Sequence, residues 1–118
     1  MSGRYVTTAA ARFSNRFAAS ASLYGVGIVT DAEDSPHFLA DKIKGEMYYG
    51  FAEIDEHVPE KVIPTLRQAL DKHGIRYGLD VFPGSRHGFQ FPERDVYETH
   101  AAEASWAKII AMWDRNLK

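Results

Sequence analysis

Between Glu60 and Phe82 the apolar residues change their period with no linker between. Over 60–74 they recur at helical spacing, at Val62, Ile63, Leu66, Ala69 and Leu70, with Lys61, Arg67, Gln68, Asp71 and Lys72 elsewhere on the turn. Over 76–82 they alternate, Tyr77, Leu79 and Val81 against Arg76 and Asp80, as in a strand near a sheet edge. Gly74 separates the two, where a helix stop is expected. Pro64 sets the helix start near 61–63, because proline is tolerated only in the first turn. Upstream, KGEMYYGF at 44–51 is apolar on both sides, which suits a strand covered on both faces. Strand, helix, strand in this order is the alternation of a parallel sheet with right-handed crossovers.

The rest of the chain extends that alternation. RYVTTAAARF at 4–13 has too little polarity for a water-facing side and reads as a buried helix. FAASASLYG at 17–25 reads as a second strand covered on both faces. GIVTDAEDSPHFLAD at 27–41 carries Asp31, Asp34, Ser35 and Pro36, so it is a loop with room for one helical turn. The last helix runs from Thr99, a plausible N-cap, to the C-terminus. Its apolar set is Ala102, Trp106, Ile109, Ile110, Trp113 and Leu117, with both tryptophans expected against the sheet. The expected architecture is α/β, with a mostly parallel sheet of about three strands, flanking helices and one domain over 1–118.

Composition narrows the function. The 118 residues are 45% apolar and 25% charged, which suits one compact core. A net charge of −2 with interspersed signs disfavours nucleic acid and anionic membrane as partners. No stretch approaches the roughly 20 apolar residues of a membrane span, and no basic-then-apolar leader opens the chain, so the expected location is cytoplasmic. The absence of cysteine removes disulfides, thiolate metal sites and any thiol nucleophile carried by these residues.

In parallel sheets, side chains converge on the loops leaving the carboxyl ends of the strands. Two loops qualify: FAEIDEHVP at 51–59, with Asp55, and PGSRHGF at 83–89, with His87. Their residues lie 32 positions apart, with one helix and one strand between, so they meet if the two strands are neighbours. An aspartate that fixes a histidine tautomer and stabilises its imidazolium is the second half of a nucleophile, histidine, acid triad. Other readings are weaker. Asp55 could cap the next helix, and His87 could be a solvated turn residue. Asp55 with His57 and His37 or His100 lacks a metal-ligand spacing. Gly25-Val26-Gly27 lacks the third glycine of a dinucleotide loop and precedes Asp31, Glu33 and Asp34, which would repel a pyrophosphate.

With Asp55 in D-E-H-V-P, His87 in P-G-S-R-H-G-F-Q-F-P-E-R, the later V-Y-E-T and the earlier L-Y-G-V-G, nearly the whole chain resembles the C-terminal portion of dienelactone hydrolases (carboxymethylenebutenolidases). The resemblance implies part of an α/β-hydrolase fold. It makes Asp55 the triad acid, His87 the base, and Tyr24, beside Gly25, a wall of the substrate pocket. M-S-G-R-Y-V-T-T-A-A resembles the segment immediately after the cysteine of the family's nucleophile elbow, Gly-x-Cys-x-Gly-Gly. Met1, Ser2 and Gly3 would then be the three elbow residues after the cysteine, with Ser2 replacing the first of the paired glycines and the cysteine itself one residue upstream of Met1. Neither Ser85, on the same turn as His87, nor Ser2, at a terminus without a strained elbow, is a good substitute.

These readings leave two functional expectations. In the first, the parent protein is a cofactor-free hydrolase of small carboxylic esters or lactones with a Cys-His-Asp triad, and these 118 residues alone are inactive. In the second, the chain is a catalytically incomplete remnant that acts as an oligomerising structural domain. A sheet edge left open would recruit another copy, giving a homo-oligomer.

Overall fold

The computed structural model describes residues 2–118. The elements are helix α1 (Gly3–Arg12), strand β1 (Ala19–Leu23), a 3-10 helix (Pro36–Lys42), strand β2 (Glu46–Ile54), helix α2 (Val62–Lys72), strand β3 (Tyr77–Arg86) and helix α3 (Thr99–Asn116). The strands form one parallel sheet in the order β1-β2-β3.

β2 organises the core because its two faces are both apolar. Met47, Tyr49 and Phe51 point to the side packed by α1, α2 and the 3-10 helix, against Ala10, Ala11, Leu66 and Leu70. Tyr48 and Ala52 point to the other side, where α3 supplies Ile109, Met112 and Ala101. One buried polar pair crosses the first layer, the Thr7 hydroxyl and the Tyr49 phenol at 3.1 Å. Burial pushes the Tyr49 phenol up to about 12. At the amino end of β2, Glu46 is held by α3. Its carboxylate accepts from Arg115 Nε at 3.0 Å and from Asn116 Nδ2 at 2.6 Å.

Several expectations need correction. α1 is buried on one face only, through Gly3, Thr7, Ala10 and Ala11, while Tyr5 is exposed. β1 is shorter than 17–25 and only half-buried, with β2 its one neighbour among the described strands. β3 does not stop at Phe82. It continues through Pro83, Gly84 and Ser85, so the loop expected at 83–89 begins only at His87. A register shift makes this possible: Ala52 pairs with Phe82, but Ile54 pairs with Arg86. The two additional residues on β3 form a bulge in which Gly84 takes φ +71 and Pro83 needs no ladder donor.

α3 departs from expectation at both its cap and its face. The N-cap is Glu98 rather than Thr99, and its carboxylate accepts from the backbone N–H groups of His100 and Ala101. The buried stripe is Ala101, Ala102, Ser105, Ile109 and Met112, whereas Trp106, Ile110, Trp113 and Leu117 are exposed. Small residues let the helix lie close to the sheet. The tryptophans therefore are not core.

Candidate active site

Each strand delivers one residue to the same rim. Tyr24 comes directly after β1, which ends at Leu23; Asp55 comes after β2, which ends at Ile54; His87 comes after β3, which ends at Arg86. Parallel pairing in adjacent registers puts the three exits side by side. There Asp55 Oδ2 lies 2.8 Å from His87 Nδ1. The backbone N–H of His57 donates to Asp55 Oδ1 at 3.0 Å, so both carboxylate oxygens have partners. The Asp55 side chain is 2% exposed and the His87 side chain 27%. A buried acceptor thus holds a partly exposed ring. With the proton on Nδ1 shared with the carboxylate, Nε2 is left to accept a proton from a reacting group.

Aromatic rings fix the imidazole from two sides of the sequence. Tyr24 lies 4.9 Å from His87 between ring centroids and 5.2 Å from the fully buried Phe89. His57 approaches the same imidazole edge-on at 5.1 Å. Tyr24 holds φ +39, a strained conformation for a non-glycine residue, and its backbone N–H is tied to the Gly50 carbonyl at 2.6 Å. Partial burial raises the Tyr24 phenol above its ordinary value, while Arg94 opposes the shift.

The Asp55 and His87 pair opens on a cavity of about 370 Å³ lined also by His57, Arg86 and Arg94. Among the described residues neither guanidinium has a carboxylate within ion-pair distance. Arg94 also abuts Gly88, where φ is +90 and a Cβ would come within 2.6 Å of the guanidinium. Sequence reasoning missed His57, Arg86 and Arg94 as lining. The available signals were the position of His57 two residues after Asp55 and of Arg86 and Arg94 on either side of His87.

The other candidates lie elsewhere. Ser85 is buried, donates its hydroxyl to the Phe82 carbonyl at 2.7 Å and does not line the cavity. Ser2 is exposed at the start of α1 and shares a second groove with Tyr24. Met1, expected as the first residue after the nucleophile, lies outside the described residues. Gly3 meets Gly25 at backbone distance, since a Cβ on Gly25 would stand 2.9 Å from Gly3 Cα. This contact fixes the N-terminus of α1 beside the β1 exit, and gives Gly25 a packing role. His37 is bound to Ser35 Oγ at 2.6 Å, and His100 lies in the first turn of α3. No group of three His, Asp or Glu side chains among the described residues is placed to hold a metal ion. No described helix is long and apolar enough to cross a membrane.

The chain is similar to known proteins along most of its length. A carboxymethylenebutenolidase homologue of Synechocystis sp. is 32% identical over 103 residues, covering 85% of this chain and 42% of that protein. Protein usf of Aquifex pyrophilus is 27% identical, covering 92% of this chain and 45% of its own length. Among solved structures, a dienelactone hydrolase homologue from Klebsiella pneumoniae superposes with a TM-score of 0.84 at 23% identity, over 95% of this chain and 48% of that one. An acylaminoacyl peptidase of Pyrococcus horikoshii superposes at 0.77 with 15% identity, over 98% of this chain and 23% of that one. The small parallel sheet with its flanking helices is therefore α/β-hydrolase-like. The chain spans a little under half the length of the curated relatives named here. The family model for dienelactone hydrolases matches residues 1–117, and the chain belongs to the dienelactone hydrolase family.

Proposed function

We propose that these residues form the acid and base half of a cofactor-free hydrolase of small carboxylic esters or lactones, whose cysteine nucleophile is supplied from upstream of Met1. The observation that carries the reading is the 2.8 Å bond between Asp55 and His87 at the carboxyl rim of the sheet. His87 Nε2 takes the thiol proton and the thiolate attacks the carbonyl carbon. The tetrahedral intermediate collapses with expulsion of the alkoxide, which His87 protonates. Water, deprotonated by the same nitrogen, then cleaves the thioester and releases the acid. Asp55 stabilises the imidazolium in both halves.

The fold supports this placement of the nucleophile. α1 lies over β1, and its N-terminus abuts Gly25 at the rim. A strand entering α1 would, by the right-handed crossover rule, run parallel to β1 along its outer edge and end at that rim. The side chain at its end would meet His87. The guanidiniums of Arg86 and Arg94, which line the cavity and have no carboxylate partner among the described residues, suit an ester or lactone whose acyl part carries a carboxylate.

The test is to place a Gly-x-Cys-bearing strand ahead of Met1, using the coding sequence there or the corresponding half of a relative, and to follow p-nitrophenyl acetate. Turnover is expected with the added segment, none above buffer without it, and none with it once His87→Ala is introduced. Equal rates in the His87→Ala variant and its parent would remove the proposal.

A further inference from the structure

We propose that His57 is a positioning residue for His87, its ring bracing the imidazole so that Nε2 keeps one direction through the proton transfers of hydrolysis. The inference rests on the reading of Asp55 and His87 as acid and base given above. It assigns a role to a side chain that the hydrogen bonds of the pair do not single out, because the bond from His57 to Asp55 comes from its backbone N–H.

The Asp55 bond by itself does not fix the direction of Nε2. It holds one atom, Nδ1, and a single hydrogen bond is a pivot about which the rest of the ring turns. The chain beside His87 adds little restraint. β3 ends at Arg86, so His87 lies beyond the ladder, and the next residue, Gly88, has no side chain to confine the ring. The imidazole also borders a cavity of about 370 Å³ into which it can swing. Misplacing a reacting group by about 1 Å can cost on the order of 10²-fold in rate.

Two rings limit that swing, and each is anchored through its own backbone. Tyr24 meets His87 at 4.9 Å and 60°, is packed on Phe89, and is tied to β2 by its N–H bond to the Gly50 carbonyl. His57 meets His87 at 5.1 Å and 74°, the edge-to-face arrangement that aromatic rings prefer. Its N–H donates to Asp55 Oδ1, and the Val58 N–H donates to the Asp55 carbonyl at 3.1 Å. One turn, 55–58, therefore carries both the acid and the brace, and the two keep their relative position when the loop moves. His57 is otherwise exposed, so its side chain contributes this ring contact rather than burial to the rim.

Alanine at position 57 separates ring from backbone, since the N–H bond to Asp55 Oδ1 survives the change. His57→Ala should leave the circular dichroism spectrum unchanged, because the side chain is exposed. In the 118-residue chain at alkaline pH, imidazole nitrogen NMR should show His87, identified by its loss in His87→Ala, as one tautomer with its proton on Nδ1. His57→Ala should move both nitrogen resonances toward a mixture of tautomers. His57→Phe, which restores a ring without the nitrogens, should return them. In a protein carrying the proposed upstream cysteine, His57→Ala should lower kcat for p-nitrophenyl acetate on the order of 10- to 100-fold with KM little changed, and His57→Phe should recover most of that loss. A parent spectrum without the Nδ1 tautomer would remove the Asp55 and His87 pairing, and this inference with it. A parent with that tautomer fixed, and unmoved by His57→Ala, overturns the positioning role alone. An unchanged kcat in His57→Ala overturns it too, as does a His57→Phe variant no better than His57→Ala, since His87 would then depend on the nitrogens of His57 and not on its ring.

Discussion

Asp55 holds His87 by one carboxylate oxygen while the other is occupied by the backbone N–H of His57, two residues along the same loop. The carboxylate is therefore oriented by the chain that carries it before it meets the imidazole. Replacement by asparagine keeps the shape but can present an amide N–H to His87 Nδ1, which favours the tautomer with its proton on Nε2. In a protein carrying the proposed upstream cysteine, Asp55→Asn should lower kcat on the order of 10³–10⁴-fold with KM little changed. A fall in kcat/KM caused mainly by KM would mean that Asp55 binds substrate rather than orienting the base.

The Gly3 and Gly25 contact makes a separate prediction about what holds the rim together. A Cβ on Gly25 would stand 2.9 Å from Gly3 Cα, 2.8 Å from the Ile28 side chain and closer still to Ser22 Oγ, and only the two side chains can rotate away. Gly25→Ala should destabilise the fold by about 1–3 kcal/mol, the usual range for overpacking. Thermal or urea unfolding measures it. Gly74→Ala is the comparison, since its Cβ meets nothing within 4 Å and only the φ of +63 is strained. A smaller loss at Gly25 than at Gly74 would show that the α1 terminus shifts freely relative to β1.

Much of this was legible from patterns that depend on one element at a time. β2 is apolar on both faces and is buried on both, and α2 begins at Val62, where Pro64 placed it. Asp55 and His87 could be paired because each comes directly after a strand, a property of chain order alone. The misreadings share another origin, since they depend on what lies beside an element. Pro83-Gly84 reads as a turn, but β3 pairs only with β2 among the described strands and absorbs both residues in a bulge. Trp106 and Trp113 have helical spacing and large apolar surfaces, yet a smaller-residue stripe on the same helix faces the sheet. Nothing local distinguishes the two stripes. The ring contact between His57 and His87 is set by the path of two loops, which periodicity does not encode.

Glu46 gives the protein an acid-sensitive tie between the start of β2 and the end of α3. Hydrogen bonding to Arg115, opposed by burial and supported by Asn116, holds its carboxyl below the ordinary glutamate range. In the unfolded chain the group titrates near its ordinary value of about 4.3. The unfolded state therefore binds more protons in the interval between the two values. Stability from this group is fully present above that ordinary value and is lost as pH falls through the folded one. Glu46→Gln should lower stability at neutral pH and flatten its decline below about pH 4.3. Urea midpoints measured from neutral to acid pH test this, and parallel curves for variant and parent would rule the tie out.

The Thr7 and Tyr49 pair tests whether the helical layer depends on a specific polar contact or on volume alone. The two hydroxyls lie 3.1 Å apart, and both residues are essentially inaccessible to water. Thr7→Val removes one partner and leaves a buried phenol unsatisfied, which should cost about 1–3 kcal/mol. Tyr49→Phe alone leaves the threonine hydroxyl unpaired and should cost a comparable amount. The double variant, apolar on both sides and nearly unchanged in shape, should be less destabilised than the sum of the two. A coupling of about 1 kcal/mol in a double-mutant cycle is expected from urea unfolding. Strict additivity would show that each hydroxyl finds another partner when its neighbour is removed, so that α1 is held over Tyr49 by packing alone.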